Sequence, residues 1–205
     1  MHPTRVLRAA TLAAFVLSCL VPAVARAQAG ATPTKQNPIR FTAFNVAMNV
    51  SAAGTTEITI ERWSTPAERK MLVELVQGAK EGQRGQQKLL EALQKIEPRV
   101  GTLATQRSLG WDLRYAYEFK LQDGTRQIVV VTDKPVTFAG ANYSGRNMDY
   151  PFTVIEMRMK PNGEGEGRML SATSILIKDG RLELENYGQQ PVTLTKITEQ
   201  QLGKK

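Results

Sequence analysis

The side chains of this sequence able to do bond chemistry are carboxylates, lysines, tyrosines and serines. Glu183 and Glu185 alternate along one strand-like face, and Glu57 and Glu61 share another. Two carboxyl groups flanking a sugar bond are what glycoside hydrolysis requires. The same alternation is the ordinary pattern of a solvated sheet face, so these pairs define a hydrolase alternative without establishing one. Ser144, Ser171 and Ser174 stand in no Ser-x-x-Lys spacing, which a serine nucleophile with a lysine base would need. Asn162–Gly167, read as NGEGEG, could hold calcium or cradle a phosphate. The full donor spacing of a calcium loop is missing, and Glu164 and Glu166 would repel an anion. Pro161-Asn162-Gly163 supplies a positive-φ turn between two strand patterns, and a turn is the reading adopted. No catalytic residue, metal ligand or cofactor motif is assigned.

The only histidine, His2, and the only cysteine, Cys19, fall in an N-terminal segment with the pattern of a signal peptide. Arg5 and Arg8 precede an apolar run from Ala9 to Val24, and Ala25-Arg26-Ala27-Gln28-Ala29 follows. The run is shorter than the roughly 20 residues of a membrane span, and cleavage is expected after Ala27 or Ala29. Pro22 and Arg26 argue against a retained anchor. Lipidation of Cys19 is disfavoured because the residues after it are still apolar. The expectation is export to the periplasm or beyond, with no integral membrane segment after cleavage. Loss of residues 1–29 removes imidazole and thiol together, which excludes Ser-His-Asp and Cys-His catalysis, His/Cys zinc sites, iron–sulfur clusters and disulfides. The 27 basic residues lose three with the leader, leaving 24 against 19 acids, a net charge of +5. Basic and acidic residues are interspersed, so no nucleic-acid partner is expected.

Residues 30–39 read as a polar linker, 40–198 as one α+β domain and 199–205 as a polar tail. Thr42, Phe44, Val46, Met48 and Val50 put four apolar side chains on one period-2 face. Residues 56–61 alternate with Ile58 and Ile60 inward, and Ala52-Ala53-Gly54 is expected to turn between the two runs. Thr65-Pro66-Ala67-Glu68 is a capping box with proline at the first helical position. Met71, Leu72, Leu75, Val76 and Ala79 make one helical face. Leu89, Leu90, Leu93 and Ile96 make a second, ending before Pro98, and the two predict a helical hairpin. Period 2 returns after Trp111, with Leu113, Tyr115, Tyr117, Phe119 and Leu121 on one face, suited to an interior or barrel-lining side. Asp123-Gly124 turns into 127–132, and further strands are expected at 152–160, 168–178, 181–187 and 191–198. The architecture is then a mostly antiparallel sheet of about eight strands, with the helical hairpin inserted after the second. Whether the sheet curls into a barrel is left open.

Five segments carry a resemblance: Glu57–Ser64 (EITIERWS), Gly110–Ala116 (GWDLRYA), Val131–Pro135 (VTDKP), Asp149–Glu156 (DYPFTVIE) and Glu183–Tyr187 (ELENY). Together they resemble an uncharacterised family of exported bacterial proteins, over most of the chain that follows the leader. The resemblance implies export from a bacterium and carries no activity, ligand or site residue.

The expected function is non-enzymatic binding of a small or apolar ligand or another envelope component. The polar loop Asn142, Tyr143, Arg146, Asn147, Asp149 and Tyr150 is the expected binding surface, because loops on a rigid sheet carry most sites. Trp111, Tyr143, Tyr150 and Tyr187 are candidate ligand-stacking aromatics. A glycan hydrolase would show two acids converging in a cleft. A structural or protein-interaction module would show an exposed Leu/Met face on residues 71–96.

Overall fold

A capping box and a change of period at residue 65 divide the chain as its patterning predicts. β1 (Ile39–Ala47) and β2 (Ala52–Ile60) pair antiparallel, and α1 (Pro66–Gly78) and α2 (Gly82–Gln94) follow. A computed structural model of the chain describes residues 32–47, 52–78, 82–106, 108–136, 151–178, 181–186 and 191–203. Thr65 Oγ1 accepts from Glu68 N at 3.2 Å, and the Glu68 carboxylate accepts from Thr65 N at 2.7 Å. That reciprocal pair satisfies two donors at the helix start that would otherwise be unpaired.

The remaining strands are β3 (Gly101–Thr105), β4 (Trp111–Leu113), β5 (Tyr115–Lys120), β6 (Arg126–Thr132), β7 (Phe152–Met159), β8 (Glu164–Lys178), β9 (Arg181–Asn186) and β10 (Val192–Gln201). All pairs are antiparallel, in the order β4-β3-β2-β1-β10-β8-β7-β6-β5, with β9 on β8. The two ends of that order, β4 and β5, are one run of chain broken only at Arg114. Val100 N donates to Leu113 O on one side of the run, and Arg114 N donates to Val131 O on the other. The sheet therefore curls back on itself in the manner of a barrel. Among the described residues there are ten strands where about eight were expected. The additional ones, β3 and β4, are too short to carry a clear period.

The bore of this barrel is packed with side chains. Ile39 and Phe41 from β1, Ile58 and Ile60 from β2, Ile128 and Val130 from β6, and Met157 and Met159 from β7 lie in one buried cluster. At one end Arg126 pairs with Glu118 of β5 and reaches across to Glu199 of β10, two strands that are not neighbours of each other. Burial alone would lower the Arg126 pKa, but the two carboxylates outweigh it and raise it. A second, outer core lies between the helical hairpin and the outside of the sheet. There Leu72, Val76, Leu89 and Leu93 meet Val131, Phe152, Val154 and Ile175. Two apolar layers on one sheet account for the unbroken run Ile128-Val129-Val130-Val131, which has apolar side chains on both faces.

Three expectations need correction. The buried face of β1 is Ile39, Phe41, Ala43 and Asn45, whereas Phe44 is 52% exposed. The face of Thr42, Phe44 and Val46 is the outer one. Ala52-Ala53-Gly54 is paired strand opposite β1 and not the turn between the two runs. Tyr115, Tyr117 and Phe119 do not line the bore. Leu113 and Ala116 both point into it, which requires one extra residue between them and swings Tyr115 and its alternates outward.

NGEGEG is half turn and half strand. Gly163 holds φ +85°, Asn162 Oδ1 accepts from Glu164 N at 3.1 Å, and β8 begins at Glu164. Gly167 lies opposite Met157, where a Cβ would collide with the Glu156 carbonyl oxygen and press on Met157 Cα at 3.2 Å. This glycine serves close approach of two backbones, not an ion. Gly167→Ala is expected to cost about 1–3 kcal/mol in denaturant unfolding. Gly163→Asn, with nothing within 4 Å of its Cβ position and a residue that tolerates positive φ, should stay within about 0.5 kcal/mol of wild type. Equal effects at the two sites would contradict this assignment.

Candidate functional site

The helical hairpin covers the outer sheet face only in part. Between them lies a cavity of about 440 Å³. The α1 side contributes Leu72, Val73 and Val76, and α2 contributes Leu89 and Leu93. The sheet side contributes Tyr115 and Phe119 from β5, Val129 and Val131 from β6, Val154 from β7, Ile175 from β8 and Leu184 from β9. Among the described residues, only Arg69, Gln127 and Glu156 bring charged or amide groups to this lining. Val73 is 51% exposed, Phe119 45% and Leu121 36%, which places unburied apolar side chains around the cavity. Burial raises the pKa of the Tyr115 hydroxyl, so it stays protonated through the neutral range.

Three sets of polar contacts hold the hairpin over the sheet. At its root, Arg62 donates to both Glu68 carboxylate oxygens, at 2.9 and 2.8 Å, and to Pro98 O at 2.6 Å. The end of β2, the start of α1 and the segment after α2 are thereby tied to one guanidinium. Burial pushes the Glu68 carboxyl up, but hydrogen bonds from Arg62 and Thr65 outweigh it and hold the pKa below its ordinary value. Beside it, Ser64 N donates to Ala116 O at 2.8 Å and Ala116 N donates to Ser64 Oγ at 3.0 Å, fastening the linker along β5. On the far side, the buried Gln86 donates to Ile175 O at 2.8 Å and accepts from Ile175 N at 3.0 Å. A side-chain amide there takes the place of a neighbouring strand, beyond the last β7 partner at Thr173.

Of the four acids of the hydrolase alternative, Glu57 faces Arg40 and Glu61 pairs with Arg99, as Glu156 of the cavity lining does with Arg168. Glu183 and Glu185 lie in β9 opposite Leu176 and Ser174. Among the described residues, Glu156 is the only acid that lines the cavity. No group of three or more His, Cys, Asp or Glu suited to a metal occurs among the described residues. A second hollow of about 510 Å³ lies against the hairpin and mixes Glu68, Glu91 and Glu97 with Lys88 and Lys95. Most of the Leu face expected to be exposed in an interaction module is buried. Met71 is its exposed member among the described residues.

Asn142, Tyr143, Arg146, Asn147, Asp149 and Tyr150 lie outside the described residues, as does Tyr187. Trp111 packs against the bore cluster. The cavity residues were not singled out from the sequence, though two signals pointed there: the doubly apolar run at 128–131 and the aromatic stripe of β5. Among the described residues, no helix is long and apolar enough to cross a membrane. No family model, no curated protein and no solved structure matches this chain.

Gln86→Ala is expected to cost about 1–3 kcal/mol, because it strips partners from a buried N–H and C=O of Ile175. Hydrogen exchange at Ile175 and along α2 should rise more than at β1 or β2. Uniform acceleration across the chain would show that Gln86 does not hold the hairpin locally.

Proposed function

We propose that this chain is an exported envelope protein that binds a small apolar molecule between the helical hairpin and the outer sheet face, without catalysis. The observation that carries the reading is the apolar cavity of about 440 Å³, within the roughly 300–1,000 Å³ usual for small-molecule sites. Protein interiors are close-packed. The cavity is partly open, and its apolar lining faces water at a cost of about 25 cal/mol per Å². An apolar occupant that covers the lining would remove that cost. The leader pattern of residues 5–29 supports export, and an exported chain would meet envelope molecules. Pairing of Glu156, the acid of the described lining, with Arg168 supports binding over hydrolysis.

The test is titration with a neutral naphthylamine fluorophore that brightens in apolar surroundings. Wild type should bind it saturably. Val129→Trp fills the cavity from its sheet side and should weaken binding by about tenfold or more, roughly 1.4 kcal/mol, with the melting temperature preserved. Absence of saturable binding, or unchanged affinity in the filled variant, would overturn the proposal.

A further inference from the structure

We infer that the occupant is a single-chain fatty carboxylate, with its chain in the apolar cavity and its headgroup on the Arg69 guanidinium. The inference rests on the apolar-ligand reading above and adds a head to it. Arg69 stands in the first turns of α1 and lines the cavity. Its Nη1 donates to Ser64 O at 2.8 Å, and its Cζ sits 4.3 Å from the centre of the Tyr117 ring. Those two contacts fix the side chain but do not neutralise it. Among the described residues, no carboxylate lies within ion-pair distance of Arg69. Arg62, Arg114 and Arg126, by contrast, each face at least one. A guanidinium has five N–H donors in a fixed fork that matches a carboxylate, and the Ser64 carbonyl engages one nitrogen.

The other polar groups of the lining do not offset this charge. Gln127 is neutral, and Glu156 already accepts from Arg168 Nε at 2.7 Å. The site therefore offers an unmatched positive charge beside an apolar cavity, which complements an anion with an apolar tail. The volume of about 440 Å³ lies within the range of small-molecule sites and is enough for a medium acyl chain. Exposed Phe119 and Leu121 would cover a longer chain where it emerges.

The experiment uses the full chain, exported from its own leader and stripped of bound lipid, and calorimetric titration with dodecanoate, dodecanol and dodecyltrimethylammonium. Wild type should prefer dodecanoate over dodecanol by about tenfold and bind the ammonium most weakly. Arg69→Gln should erase the preference for dodecanoate while dodecanol binds as before, which also shows that the variant is folded. Arg69→Lys should keep most of the preference. Equal binding of acid and alcohol by wild type, or a preference that survives Arg69→Gln, would overturn the headgroup assignment and leave the apolar cavity standing. If none of the three binds, the cavity reading fails together with this one.

Discussion

The closure of the sheet at Arg114 is the constraint on which the rest of the structure depends. One run of chain, residues 111–120, must pair with β3 on one side and then with β6 on the other. It does so by spending one extra residue between the inward-facing Leu113 and Ala116. The Arg114 side chain secures this seam. Its guanidinium donates to Ile96 O and Glu97, approaches Asp112 at 3.5 Å and faces the buried Asp133 at 3.8 Å. Strand, hairpin exit and the end of β6 thus meet at one cation. A regular strand would have carried Tyr115, Tyr117 and Phe119 into the bore with Leu113. The extra residue puts them outside, where they face α1.

That displacement decides where space is left. The bore is filled by aliphatic and methionine side chains and closed at one end by Arg126 with Glu118 and Glu199. The remaining space lies outside it, under two helices tied down at their root by Arg62, Glu68 and Ser64 and on the far side by Gln86. The contacts between these anchors are mostly apolar and incomplete. Local opening of the hairpin needs fewer polar contacts broken than opening of the barrel does, so access through the hairpin is the low-cost route.

Local signals were legible in the sequence, and what they determine is local. The capping box at Thr65 and Glu68, the Asp123-Gly124 turn and the helical stripes all name their own elements, because each depends on residues within four positions. Which face of a strand is buried depends on its neighbours across the sheet. The Phe44 face of β1 read as apolar, yet Phe41 and Ile39 are the residues opposite Ile58 and Ile60 in the bore. The extra residue at Arg114 has no local mark, since neither glycine nor proline stands there. The cavity was legible only in part. Val129 and Val131 announce a second covered face, but how completely two helices cover it depends on their placement.

The most direct measurement is native mass spectrometry of the protein purified gently from the envelope of its own host, set beside the same sample after denaturation. A small apolar mass, one per chain, that is lost on denaturation and absent from Val129→Trp is the predicted result. A bare chain from the host, or cargo held equally by the variant with the filled cavity, would contradict a ligand site beneath the hairpin.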